Sequence, residues 1–230
     1  MLPFLISHDY SDCIIIGICL VVAITIHEFG HAVAAQVEGD PTARLEGRLS
    51  LNPAAHLDPF GALMIVLVGF GWGKPVPIQT ANMRSRRFGA AIVGAAGPIT
   101  NAILAVATAI IARATNLALE PGFGGGGGIT LTERLASAFI YLNIILFLLN
   151  LIPVPPLDGS RVVSALLPPD KQKYIYFMDR WGFLLLLILA LLILPTILGR
   201  ITGGVDQALL RVVHNQVYGS FPAIPQQRIL

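Results

Sequence analysis

Three residues set the chemical question. In "VVAITIHEFGHAVAAQV", residues 21–37, His27, Glu28 and His31 interrupt an almost wholly apolar run. On an α-helix, positions i and i+4 lie about 40° apart round the axis and about 6 Å apart along it. His27 and His31 therefore share a face and can offer imidazole nitrogens to one metal ion. Glu28 lies about 100° round, where it can reach a metal-bound water without being a ligand. This is the H-E-x-x-H arrangement, in which zinc brings the pKa of its water near neutrality and the glutamate carries the proton. Gly30, between the glutamate and the second histidine, leaves room for a close approach of backbone or substrate.

Three fixed positions in five arise by chance in many soluble helices. An apolar span is different. Burying a carboxylate and two imidazoles in lipid is costly unless they are paired or metal-bound, and the cost favours a metal site. A zinc centre needs a further protein ligand. A metzincin-type extension would require a glycine and then a histidine further along the helix, at the positions where the chain has Ala34 and Val37. Glu38 lies about 10 Å from His31 along the same helix, which is too far. His56 and Asp58 in "NPAAHLDP" and Asp158 in "PVPPLDG" remain. Asp158 follows a proline-rich break at the end of an apolar segment, where irregular backbone at membrane depth is tolerated if it lines a cavity. The competing reading of Asp158 is an N-cap aspartate before "GSRVVSALL".

The elements that must position these residues are apolar helices. Of the 230 residues, 55% are hydrophobic and only 12% are charged, with a mean hydropathy of +0.74. That is about half the usual charged fraction of a soluble domain and indicates an all-α polytopic membrane protein. A net charge of +2 argues against a nucleic-acid partner. Cys13 and Cys19 lie six apart in one apolar segment, so neither a disulfide framework nor a cysteine metal site is expected. Residues 1–12 hold no Lys or Arg, and the first apolar segment is expected to stay in the mature protein.

Apolar segments fall at about 13–37, 60–72, 88–112, 135–152 and 181–199, which gives four to five spanning helices. The segment 60–72 is short for a span and suits a buried or re-entrant piece. "GFGGGGG" at 122–128 marks a loop. "KPVPIQ", residues 74–79, alternates and reads as a short β-like edge or a plain loop, since proline is admitted only at sheet edges. The expected organisation is one membrane-embedded domain over 1–199, with its core at 13–165, and a C-terminal tail over 200–230.

HEFGH on a membrane helix together with "NLIPVPPLDG" resembles the site-2 protease family of intramembrane zinc metalloproteases, peptidase family M50. "LNPAAHLDPFGAL", "GFGWGKPVP" and "AAGPITNA" are similar to its small bacterial branch, and the motifs run in family order over roughly residues 13–165. The resemblance implies that His27, His31 and Asp158 bind one zinc ion per chain and that Glu28 is catalytic. It further implies regulated proteolysis of a transmembrane protein substrate within the lipid bilayer. Gly73 stands where the family pattern leads one to expect Ala, and no soluble insertion is present between the motifs.

Depth tests this assignment. His27 and His31 lie past the middle of the first segment, and Asp158 lies at the end of the fourth. They meet most easily if the two helices run parallel, which requires 60–72 to be re-entrant; if it spans, the ligands separate. The re-entrant arrangement puts ten basic residues (Arg44, Arg48, Lys74, Arg84, Arg86, Arg87, Arg161, Lys171, Lys173 and Arg180) on one side and only Arg113 and Arg134 on the other. By the positive-inside rule the basic side is cytoplasmic, which places the site nearer the cytoplasmic face of the cell membrane.

Asn101, polar inside an apolar segment, either hydrogen-bonds the substrate or an oxyanion or bridges helices. Asn143 and Asn150 carry the same two readings, with Asn150 the closer to the proline break. His56 is either a supporting or gating residue or the holder of a turn. An edge at 74–79 would offer an unwound substrate hydrogen-bond partners. The rival functions are a membrane zinc transporter and a non-catalytic membrane binding protein of the same fold. Transport predicts further intramembrane ligands along a path, and an intact Glu28 argues against a silent site.

Overall fold

The computed structural model describes residues 10–61, 73–120 and 130–168 and scattered positions between 176 and 188. Four helices carry the architecture: α1 (Tyr10–Glu38), α2 (Arg87–Ala114), α3 (Leu131–Asn150) and α4 (Gly159–Leu166). The first three are long and apolar enough to cross a membrane, and the chain is read as a multi-pass membrane protein. Among the described residues there are three such helices, against the four to five expected. The segment 181–199 and the tail 200–230 lie wholly or largely outside them. The re-entrant question also falls outside, because residues 62–72 are not described.

Local chemistry sets the helix ends. Gly39, at φ +97°, closes α1 in the left-handed conformation that glycine adopts without strain. Thr130 and Glu133 form a capping box at the start of α3, with the Glu133 N–H donating to Thr130 Oγ1 (3.3 Å) and the Thr130 N–H to Glu133 Oε2 (2.8 Å). This box starts α3 at Leu131, four residues before the apolar segment expected at 135. The missed turn is polar, so hydropathy alone does not reveal it. Pro98 lies inside α2 and removes the donor that would bond the Gly94 carbonyl.

Paired contacts fix the helix directions. Along α1 and α3, Asp12 pairs with Arg134, and Ile15, Ile16 and Cys19 pack with Ala138 and Leu142, so the two helices run parallel. Along α1 and α2 the order reverses. His31 meets Val93, Gly30 meets Thr100 and His27 meets Asn101. The end of α1 and the approach to α2 are tied by the Arg84 N–H donating to the Glu38 carbonyl (2.8 Å).

No strand forms among the described residues. A single antiparallel bridge joins Leu57 and Gly73, beside Lys74 N–H donating to the His56 carbonyl (2.7 Å). The β-like reading of 74–79 is therefore corrected to an irregular strap. Pro75 and Pro77 lack the donors a ladder needs, and the chain passes directly into a 3₁₀ turn at Thr80–Asn82.

Candidate metal centre

α1 places His27 and His31 one turn apart on a face buried against α2, with their rings nearly perpendicular (88°) and centroids 4.7 Å apart. Asp158 reaches them from the turn between α3 and α4. Gly159 lets that turn fold back. A Cβ at residue 159 would lie 2.5 Å from the Leu151 carbonyl oxygen and 2.7 Å from that of Ile152, so no other residue fits without movement. Asp158 occupies the N-cap position of α4, yet its side chain makes no cap bond. Its Oδ2 instead lies 3.1 Å from His27 Nε2 and 3.1 Å from His31 Nε2. The two Nε2 atoms are themselves 3.1 Å apart.

The protonation of the rings follows from their other nitrogens. His31 Nδ1 lies 2.6 Å from the Val93 carbonyl, which only accepts, so Nδ1–H donates and, in the neutral ring, the metal-binding form, Nε2 presents a lone pair. His27 Nδ1 is bonded to Asn101 Oδ1, and the same reasoning gives Nε2 its lone pair. Two lone pairs and a carboxylate oxygen thus converge on one point. Such a triangle is repulsive unless a cation sits among its corners. A tetrahedral zinc with bonds of about 2.0 Å separates its ligands by about 3.3 Å, close to the three edges seen here. The residues fit a small tetrahedral cation, and among the described residues this is the one group of three or more His, Cys, Asp or Glu side chains so arranged.

Glu28 is half-buried beside the trio. The strap at Gly73 runs close to it. A Cβ at residue 73 would lie 3.5 Å from Glu28 Oε1, 3.3 Å from Ile24 Cγ2 and 3.2 Å from the His56 carbonyl oxygen. The alanine expected there from family resemblance would be tight.

Of the other residues singled out in the sequence, Asn150 and His56 bond to backbone carbonyls, whereas Asn101 bonds to a member of the trio. Asn150 Nδ2 donates to the Leu146 carbonyl one turn back (3.0 Å). His56 is fully buried at the end of the Pro53–Ala55 turn, and its Nε2–H donates to the Ser50 carbonyl (2.6 Å). Asn101 is buried with both ends of its amide engaged, Oδ1 by His27 and Nδ2 by Asn143.

The sequence reading did not reveal that one row of α2 forms the wall behind the metal site. The Val93 carbonyl, Gly97 and Asn101 recur at four-residue spacing and meet His31, both imidazoles and His27 in turn. Gly94 adjoins the row, and a Cβ there would lie 3.1 Å from the Asp158 carbonyl oxygen. The available signal was the run of small residues in "VGAAGPITN", which admits close helix approach.

Three long apolar helices closing on two imidazoles and a carboxylate define a helical membrane protein with a candidate metal centre. Residues 127–189 match the model of peptidase family M50. The chain is 38% identical over 175 residues to the Bacillus subtilis protein named "Putative zinc metalloprotease YwhC", covering 75% of this chain and 78% of the relative. The chain therefore belongs to peptidase family M50 and is a peptidase. It is 33% identical over 174 residues to "Putative zinc metalloprotease Rip2" of Mycolicibacterium smegmatis, covering 73% of this chain and 62% of that one. The Rip2 of Mycobacterium tuberculosis strain H37Rv is 31% identical over 191 residues, covering 80% and 68%. No solved structure matches the chain.

Proposed function

We propose that the chain is an intramembrane zinc endopeptidase that hydrolyses peptide bonds within or next to transmembrane segments of membrane proteins. The observation that carries this reading is the convergence of His27 Nε2, His31 Nε2 and Asp158 Oδ2, with Glu28 one residue from the first ligand. The names of the relatives support zinc as the metal.

His27, His31 and Asp158 hold the ion, one per chain. Zinc, when bound, supplies Lewis-acid polarisation of the scissile carbonyl and acidifies water. Glu28 takes the proton of the attacking water on its carboxylate and delivers it to the leaving amine. Its half-buried position gives it access to substrate while shielding it from bulk solvent. The strap passes Glu28 at Gly73, and a helical substrate segment must unwind to reach the site. Unwinding is needed because a helical peptide bond is enclosed by its own hydrogen bonds.

The same reading extends to organisation. Residues 1–199 form one membrane domain of four to five spans, followed by the tail 200–230. The parallel course of α1 and α3, with α2 antiparallel to both, supports a topology without a net crossing between Glu38 and Arg87. The basic loops then face the cytoplasm across the cell membrane, and the site lies nearer that side.

The test uses the full chain in detergent or liposomes with a labelled transmembrane peptide. Wild type should hold about one zinc per chain. Glu28→Gln should keep the zinc and lose cleavage by about 10²–10⁴-fold, whereas Asp158→Ala should lose both. Undiminished cleavage by Glu28→Gln overturns the reading. Zinc flux into vesicles without cleavage indicates a transporter.

A further inference from the structure

His31 and His27 are oriented by different means. The backbone carbonyl of Val93 holds His31. His27 is held by a side chain, Asn101, which is itself held by another, Asn143. We propose that Asn101 and Asn143 are positioning residues whose one-way hydrogen-bond relay fixes the tautomer and ring orientation of His27 for metal binding. This rests on the zinc-site reading above.

The direction of the relay is determined from its far end. Asn143 Nδ2 lies 2.8 Å from the Phe139 carbonyl. A carbonyl only accepts, so the Asn143 amide must point its NH₂ group there and its Oδ1 the other way. Asn143 Oδ1 in turn can only accept, at 2.7 Å, from Asn101 Nδ2. Asn101 Oδ1 is thereby aimed at His27, and the proton between them must come from His27 Nδ1. His27 Nε2 is left as a lone pair facing His31 Nε2 and Asp158 Oδ2. Reversing any amide would set two donors or two acceptors against each other in a region where Asn101 and Asn143 are both 0% exposed. An unmatched polar pair is costly there. The relay crosses from α3 through α2 to α1, so the packing of three helices is read out at one ring nitrogen.

This differs from both roles open to Asn101 in the sequence. As an oxyanion donor it would need a free N–H toward substrate. As a plain helix bridge it would leave metal affinity untouched.

The experiment measures zinc affinity by chelator competition and thermal unfolding on the full chain in detergent. Asn101→Leu should lower zinc affinity about 10–100-fold, the usual effect of removing a group that orients a ligating histidine. Asn143→Leu should lower it less, and should add nothing in the Asn101→Leu background, since a relay acts as a unit. Asn101→Asp keeps an acceptor toward His27 Nδ1 but sets its other oxygen against Asn143 Oδ1, so it should retain more affinity than Asn101→Leu and less than wild type. If the leucine variants do not fold, Asn101→Asp and Asn101→Ser decide the matter. Aspartate reaches His27 and serine does not, so equal affinities overturn the proposal. Lowered melting with wild-type zinc affinity also overturns it, in favour of helix bridging. Lowered cleavage with wild-type affinity overturns it in favour of substrate contact. A wild type that binds no zinc overturns the site reading itself. A wild type whose zinc is lost in Asp158→Ala but unaffected by the asparagine changes overturns the relay alone.

Discussion

The two halves of α1 are packed by opposite means. Its first half meets α3 through apolar bulk: Ile15, Ile16 and Cys19 against Ala138 and Leu142, with Leu20, Leu135 and Phe139 at the margin. The rim of that contact is tied by the Asp12–Arg134 ion pair. Its second half meets α2 through near-absent side chains. A Cβ at Gly30 would overlap Thr100 Oγ1, and one at Gly97 would overlap His31 Nε2 and lie 2.6 Å from His27 Cε1. In lipid, helices gain little by hiding apolar surface and associate through close contact and hydrogen bonds. The first half gains stability from dispersion over broad side chains. The second half gives up that bulk so that backbone and polar atoms can come within reach of the histidines.

The largest effect that separates the halves should come from Gly97→Ala. One added methyl group would overlap both imidazoles, and the rings must move or the helices part. Zinc affinity should fall by about 100-fold or more, the upper end seen when support behind a metal ligand is disturbed. The check is chelator competition on the purified variant. Wild-type affinity would show that α2 does not form the wall described here and would remove the contrast between the halves.

Leu142→Ala tests the other half. Leu142 is buried beside Ile15 and Cys19, and its truncation leaves a cavity between α1 and α3. The expected loss is about 2 kcal/mol, the low end for a buried Leu→Ala change, because lipid chains offer the unfolded helices comparable contacts. Zinc affinity of the folded fraction should be unchanged. A fall in affinity equal to that of Gly97→Ala would show that the halves are mechanically coupled rather than distinct.

The same division explains what the sequence revealed. His27, Glu28 and His31 stand out because they are polar in an apolar run and repeat at helical spacing, so local chemistry identifies them. Asp158 was harder to assign, since an aspartate before a helix is ordinarily a cap. Only the fold-back at Gly159 shows that its carboxylate points elsewhere. The three long helices follow from hydropathy, while the true start of α3 rests on the polar Thr130–Glu133 box that hydropathy passes over. The strap at 74–79 alternates like a strand, but a strand needs a partner, and the chain supplies a single bridge at Gly73 among the described residues. The role of α2 was legible only in outline, as a polar Asn101 and a run of small residues inside an apolar segment. That the amide meets His27, and that the Val93 carbonyl and Gly97 stand behind the ligands, follows from packing and not from composition.

The smallest expected effect lies outside the helix contacts, where charge does what neither bulk nor closeness does. Asp40 follows Gly39 and is fully buried. Its Oδ1 accepts from the Thr42 N–H (3.1 Å), the Thr42 hydroxyl (2.5 Å) and Asn82 Nδ2 (3.1 Å), and its Oδ2 accepts from the Gln79 N–H (2.5 Å). The strap is thereby anchored to the end of α1. Burial pushes the Asp40 carboxyl up, but the bonds from Gln79, Thr42 and Asn82 outweigh it and hold the group below its ordinary value. A folded-state value lowered in this way stabilises the protein above the unfolded carboxylate range, about pH 4, and the contribution is lost as pH falls through the folded value. Asp40→Asn sets an NH₂ group against donors and should cost about 1 kcal/mol near pH 7. The gap in melting temperature between wild type and Asp40→Asn should therefore be full at pH 7 and narrow below about pH 4. A gap that stays constant with pH would mean that Asp40 anchors the strap by shape and not by charge. The strap would then extend the close-packed half of α1 beyond Glu38.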